Sequence, residues 1–438
     1  MTRTHHATNP SHSTVTDEPS APLQATEPAE SPQEAPPEPV LLDMPRDGVP
    51  EVITTEPGLR RAARAIAAGT GPVSVDAERA SGFRYGQRAF LVQLRREGSG
   101  SWLIDPVPFE NLDPIQEAIG DETWILHAAS QDLPCLRELG MDPARLFDTE
   151  LAARIAGLPR VGLGPAVESL LGLRLAKEHS AADWSTRPLP EPWLRYAALD
   201  VEVLDRLREE LIKILEADGK LEFAEEEFEA VRKAPPAPPR TDPWRRTSGL
   251  HQIRDRRTLA AVRALWETRE SLAQTRDVAP GRLIPDSALV AAAKAMPKSV
   301  PALLKTPGFH GRSASKDAPK WLRALQDAAA TSDLPPNQVP SNSPPLPKVW
   351  ADKDPVAAAR LQTARARVAR TAEAMNIPTE NLLTPDTLRR LCWTPPAEID
   401  PDTVSAALRA LGAREWQIGL VGPVLTVALL DPDALAKR

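Results

Sequence analysis

Proline falls in blocks along this chain, and the blocks decide which residues can share a core. Ala234-Pro235-Pro236-Ala237-Pro238-Pro239 is one, and Leu334 to Pro347, with Pro335, Pro336, Pro340, Pro344 and Pro345, is another. Proline locks φ and lacks an N–H, so such runs extend neither helices nor sheets and act as semi-rigid spacers. With 47 prolines in 438 residues the content is well above the usual ~5 %. Residues 1 to about 45 hold Ser, Thr, Pro, Glu and Ala with almost no large apolar side chain before Val40. Such a segment cannot bury enough surface to offset its ordering entropy, so a disordered tail is expected there. The division that follows is a tail over 1–45, a domain over 46–232, a linker over 233–247, a domain over 248–331, a linker over 332–349 and a last domain over 350–438.

Charge separates these regions. The chain carries a net −7, yet residues 241–330 hold 16 Lys and Arg against 8 Asp and Glu. A basic module joined to an acidic one suggests phosphate binding in the first and metal-binding carboxylates in the second. Cys135 and Cys392 are too few for a disulfide framework or a cysteine-based zinc site, which points to a reducing cytoplasm. There is no basic start followed by an apolar run, nor a stretch near the ~18 apolar residues of a membrane span, so export and membrane insertion are not expected.

From about Val49 the pattern is α/β. Val73–Val75, Phe90–Leu94 and Trp102–Ile104, the last after a Gly98-Ser99-Gly100 turn, read as a three-stranded meander. A helix near Pro114–Ile119, a strand over Trp124–Leu126 and a helix over Leu133–Leu139 follow. Leu146-Phe147 then leads to Asp148, a plausible N-cap for a helix over Glu150–Ala156. Strands alternating with helices predict a mixed sheet covered by helices. Pro192 to Asp218 reads as one long helix with Leu194, Ala198, Val201, Leu204, Leu207, Leu211 and Ile214 at spacings of three and four. Farther on, Leu283-Ile284-Pro285-Asp286 and Leu383-Thr384-Pro385-Asp386 align at an offset of 100, each after an Arg- and Ala-rich helix. The spacing predicts a duplicated helical module.

Asp76-Ala77-Glu78, Asp132 and Tyr196-Ala197-Ala198-Leu199-Asp200 carry the chemistry. Asp76 and Glu78 stand at i and i+2 of a strand and project to one side, while Tyr196 and Asp200 lie one helical turn apart. Each alone has a plainer explanation: solvated acids at a strand end, an aspartate favouring a helix dipole, a half-buried tyrosine beside an exposed acid. Together their order and spacing match a site in which several oxygen ligands and a positioned water serve a pair of hard cations in phosphodiester hydrolysis. His127 is read as a strand-end histidine bonded to backbone and is left out of the site.

Through Val73-Ser74-Val75-Asp76-Ala77-Glu78, Leu126-His127-Ala128-Ala129-Ser130-Gln131-Asp132-Leu133, Asp183-Trp184-Ser185-Thr186-Arg187-Pro188-Leu189 and Tyr196-Ala197-Ala198-Leu199-Asp200-Val201, residues 50–225 resemble the ribonuclease D family of DEDDy exonucleases. Residues 250–330 resemble its helicase-and-ribonuclease-D C-terminal (HRDC) domain, and 352–433 a more divergent copy. The resemblance implies an RNase H-like α/β exonuclease domain, a mixed sheet flanked by helices, followed by two all-α HRDC-like domains. It implies a 3′-5′ exoribonuclease that releases 5′-mononucleotides, with tRNA precursors or other small structured RNAs as partners and with two divalent ions, Mg2+ or Mn2+, held by Asp76, Glu78, Asp132 and Asp200. Tyr196, a poor base with an ordinary pKa near 10, is expected to position the attacking water. Arg79 stands where relatives often carry an apolar or aromatic residue, and Gln131 replaces a commoner acid. Lys177, Trp184 and Arg187 are candidate substrate contacts, with packing and a surface ion pair as alternatives for the last two. Arg254, Arg256, Arg257, Arg263 and Lys316 are candidate contacts to the RNA backbone. A monomer acting in the cytoplasm is expected. A DNA exonuclease of the same superfamily, or a catalytically silent RNA-binding scaffold, are the competing possibilities.

Overall fold

The computed structural model describes residues 38–433, other than 177, 178, 180, 340 and 341. Six strands form the central sheet: β2 (Val52–Ile53), β3 (Thr70–Arg79), β4 (Ala89–Glu97), β5 (Gly100–Ile104), β6 (Thr123–Leu126) and β7 (Arg145–Asp148), in the order β2-β5-β4-β3-β6-β7. The β3-β4-β5 meander is antiparallel as expected, and β6 and β7 add in parallel beside β3. The strand predicted over Val73–Val75 runs on to Arg79, so Asp76 and Glu78 sit inside β3, in the middle of the sheet. Residues 89–94 of β4 are all buried, the continuous apolar run of a strand covered on both faces.

Helices α1 (Glu56–Ala67), α2 (Asp113–Ile119), α3 (Leu133–Glu138), α4 (Thr149–Ile155) and α5 (Leu163–Leu171) connect the strands and cover the sheet. Two features depart from expectation. The long helix divides at Val203 into α6 (Glu191–Glu202) and α7 (Leu204–Ala217), because α6 lies across β3, β4 and β5 whereas α7 follows β3 and β6, and a twisted sheet turns the two directions apart. The tail expected to reach residue 45 gives way to a strand, β1 (Val40–Leu42), which pairs in parallel with β8 (Leu173–Leu175). Its partner is remote in sequence, so no local periodicity announces it. Residues 1–37 of that segment lie outside the described residues. After α7, α8 (Leu221–Arg232) packs on α4 and β7.

The first helical module contains α9 (Arg256–Arg276), α10 (Pro280–Leu283), α11 (Asp286–Ala295), α12 (Val300–Leu304), α13 (Arg312–Lys316) and α14 (Ala318–Ala330). Its core, with Trp244, Leu265, Leu289, Phe309 and Trp321, is its own. Trp244 therefore belongs to this module although it falls within the stretch read as linker. The second module contains α15 (Trp350–Lys353), α16 (Pro355–Ala374), α17 (Thr379–Leu382), α18 (Pro385–Trp393), α19 (Pro401–Ala410) and α20 (Glu415–Leu430). A long helix, a one-turn helix and a Pro-Asp helix recur in the same order in both modules. The second module does not close its own core. Its apolar residues join those of the exonuclease-side sheet and helices in a single cluster. Across that join Trp416 stacks on Phe223 at 5.0 Å, its Nε1 donates to Glu227 Oε1 at 3.1 Å, and Arg414 pairs with Glu227 at 3.0 Å. Gly157 follows α4 with φ +78, so close to Asn376 that a Cβ would meet its carbonyl oxygen at 2.4 Å.

Candidate active site

Side chains alternate along β3, so Asp76 and Glu78 emerge on one face, opposite Gln93 and Leu91 of β4. α6 crosses that face and brings Asp200 down to it. Carboxylate oxygens of Asp76, Glu78 and Asp200 lie within 4.8 Å of one another. They line a cleft of about 630 Å³ with Asp132, Tyr196, Arg79, Phe83 and His127. Asp132 occupies the N-cap position of α3 but its side chain makes no capping hydrogen bond among the described residues; its Oδ1 instead lies 3.4 Å from Arg79 Nη2. The structure thus brings three of the four expected carboxylates into one cluster and places the fourth in the same cleft, against an arginine.

The turn presenting Asp132 is held by a residue whose second role the sequence does not reveal. Ala128 has φ +60, a conformation costing roughly 1–2 kcal/mol in a residue with a Cβ. Asp148, buried, accepts from Ala128 N at 3.1 Å and Ala129 N at 2.8 Å, which pins that turn. It also accepts from Glu150 N and Leu151 N at 2.9 and 3.2 Å, the N-cap bonds anticipated for α4. His127 bonds through Nδ1 to Thr149 Oγ1 at 2.9 Å, a side-chain partner rather than the backbone expected for it. Burial lowers its pKa to about 4, so the ring is neutral at neutral pH.

Electrostatically the cluster is under tension. Burial raises Asp76 from the ordinary 3.8 to about 6, against the pull of the Ala77 N–H and Arg79. Glu78 is pushed well above its usual range by burial and then by the charges of Asp76, Asp200 and Asp132. Asp132 is raised by burial and by Asp76. The Tyr196 hydroxyl, hydrogen-bonded to Asp200, is driven up by burial and by that carboxylate, so it stays protonated.

Several expected substrate contacts are otherwise engaged. Trp184 is fully buried, 5.4 Å from Trp193 and 6.4 Å from Tyr196, and offers no face for a base. Arg187 grips Asp105 with two hydrogen bonds of 2.6 and 2.8 Å and also donates to Phe90 O and Trp184 O. Lys177 lies outside the described residues. Arg256 donates to Leu334 O and Pro335 O, Arg257 to Ala328 O and Thr331 O, and Arg263 to Asp333. These three arginines therefore fasten the end of α14 and the following linker. Arg254 and Lys316 remain exposed. Sequence reasoning missed Phe83, on the β3–β4 loop at the rim of the cleft. Arg282 of the first module lies 4.0 Å over its ring and donates to Gly82 O at 2.8 Å, while Ala279 N donates to Phe83 O at 2.9 Å. Asp277 beside them accepts from Tyr85 N at 3.3 Å and faces Arg84 and Arg88 at 3.9 and 3.5 Å.

The mixed sheet whose central strand and crossing helix converge carboxylates in a cleft falls within residues 50–216, which match the family model described as 3'-5' exonuclease, and this defines a 3′-5′ exonuclease domain. Residues 258–325 match the HRDC domain, and 343–429 the model described as 3' to 5' exonuclease C-terminal domain. Ribonuclease D of Gluconacetobacter diazotrophicus is 33 % identical over 307 residues, 68 % of this chain and 74 % of the relative. Ribonuclease D of Escherichia coli is 32 % identical over 303 residues, 66 % and 77 %. A crystal structure of a protein from Bifidobacterium adolescentis aligns with a TM-score of 0.82 at 41 % identity, covering 90 % of this chain and all of that one. The E. coli RNase D structure, described as an exoribonuclease involved in structured RNA processing, aligns at 0.62 with 26 % identity, covering 87 % and 99 %. The chain belongs to the ribonuclease D family. It is a 3′-5′ exoribonuclease, a hydrolase of phosphodiester bonds.

Proposed function

We propose that Asp76, Glu78, Asp132 and Asp200 hold two divalent cations, Mg2+ or Mn2+, and that the enzyme trims tRNA precursors or other small structured RNAs from the 3′ end, releasing 5′-mononucleotides. The observation that carries this is the convergence of three carboxylates within 4.8 Å from β3 and α6. An all-oxygen donor set suits hard cations, and buried acids with raised pKa values have an electrostatic need for them. When bound, such ions neutralise charge at the attacking and leaving oxygens of an in-line displacement. Tyr196, kept protonated, orients the attacking water through its hydroxyl rather than removing a proton. Arg79 holds Asp132 in the cleft. The RNA class is supported by the structured-RNA role of the E. coli relative. The two helical modules grip the RNA body, dividing from the catalytic domain at about 233–247 and from each other at about 332–349. The enzyme works as a monomer in the cytoplasm; no helix among the described residues is long and apolar enough to cross a membrane.

Asp200→Asn lowers metal-dependent trimming of 3′-extended tRNA by roughly 10²–10³ or more while RNA binding persists. Trimming at the wild-type rate by this variant removes the proposal, and matched RNA and DNA oligomers in the same assay test the preference for RNA. A second test uses pH. Because the folded-state pKa of Asp76 lies near 6, above its ordinary 3.8, its contribution to stability is complete below about pH 4 and is lost as pH rises through about 6. Divalent metal therefore raises Tm more at pH 7.5 than at pH 5. An equal increment at both would show that the cluster is not the metal site.

A further inference from the structure

Gln93 stands on β4 directly opposite Asp76, on the face of the sheet that carries the carboxylates. It is 0 % exposed. Among the described residues neither its Nε2 nor its Oε1 has a hydrogen-bond partner. An unpaired buried polar group costs about 1–3 kcal/mol, a cost that an apolar side chain of the same shape avoids. β4 is otherwise built of such side chains here, with Leu91, Val92 and Leu94 all fully buried. The neighbours on the same face are Leu91 and, across the next pair of strands, Leu103. Arg95, two residues along, is turned to Asp47 and Ser101. Directly opposed side chains of an antiparallel pair have Cβ atoms about 4.5–5.5 Å apart. A glutamine amide can span that distance to a carboxylate, and α6, which brings Asp200 to the cluster, packs on β4 as well.

We infer that Gln93 is a positioning residue of the site: its amide N–H, unpaired in this structure, donates to a carboxylate oxygen of the opposed Asp76 once metal is bound, and sets the direction of that carboxylate toward the metal. The polar side chain is retained in an apolar strand because the group it serves carries a ligand role. Partners of this kind, one bond removed from a metal, tune affinity by about 10–100-fold. The inference rests on Asp76 being a metal ligand, and the experiment separates the two. In the full chain, Gln93→Leu removes both amide groups at similar volume. The expected result is a metal-free protein at least as stable to heat as wild type, with Mn2+ affinity by titration calorimetry reduced about 10-fold or more. Should Gln93→Leu fold poorly, Gln93→Met carries the same comparison. Wild-type Mn2+ affinity in a folded variant overturns the role of Gln93. Asp76→Asn, titrated in parallel, loses Mn2+ affinity if Asp76 is a ligand; unchanged affinity there overturns the ligand reading and the inference with it.

Discussion

The first helical module meets the exonuclease domain through one loop, a stacked guanidinium and a few partly exposed charges, whereas the second has no core separate from it. Both share the same helix order, so the difference lies in what faces outward. In the first module the apolar side chains of α9, α11 and α14 are consumed internally, and docking uses Glu270, which hydrogen-bonds Tyr85, together with Asp277, Ala279 and Arg282. In the second, Trp416 and its surroundings are spent on α8. Apolar area is worth about 25 cal/mol per Å² and is not screened by salt, while exposed ion pairs are worth about 0–1 kcal/mol and weaken with salt. The second module is thus joined firmly to the catalytic layer. The first is held by the weaker kind of contact, and that contact lies where Phe83 borders the cleft.

Breaking the firm join has the largest effect. Trp416→Ala removes the stack on Phe223 and leaves Glu227 without its indole donor, at a cost of about 3–5 kcal/mol. Denaturant unfolding followed at both the sheet and the second module shows one shared transition moved to lower concentration; separate transitions would mean the core is not common. Gly157→Ala is milder. Its Cβ forces Asn376 away and φ +78 strains the backbone, together about 1–3 kcal/mol, read as a lower Tm without loss of the first module's protection in hydrogen exchange. The smallest stability effect comes from Arg282→Ala, within about 1 kcal/mol. Its consequence is functional: KM for RNA rises severalfold at low salt, with the difference from wild type shrinking as ionic strength increases. An unaltered KM at every salt concentration would place the loop around Phe83 outside the path of the RNA.

What sequence could supply was local. Strands β3 to β6, the N-cap at Asp148 and the one-turn spacing of Tyr196 and Asp200 all follow from periodicity and capping chemistry within a few residues. Alternatives stay open where the deciding partner is distant. For Arg187 a phosphate contact and an ion pair are both open, and the ion-pair partner, Asp105, lies 82 residues away in sequence. For Trp184 base stacking and packing are both open, and the sequence does not show the aromatic cluster with Trp193 and Tyr196 that packs around it. Arg256, Arg257 and Arg263 form a basic stripe on paper, yet carbonyls at the end of α14 and in the linker take up their donors. Asp148 shows the same limit from the other side. A cap for α4 is visible from its neighbours, whereas its hold on the turn before Asp132 depends on β6 and β7 lying side by side.

The bond from Trp416 to Glu227 spans 189 residues of sequence. On a ribosome adding about 5–20 residues per second, the outer face of α8 is finished some 10–40 s before its cover exists. For that interval Phe223 and the apolar side chains around it are open to other nascent chains. A cell making this enzyme quickly would need a chaperone at that face, or a slow enough rate of initiation to keep neighbouring chains apart.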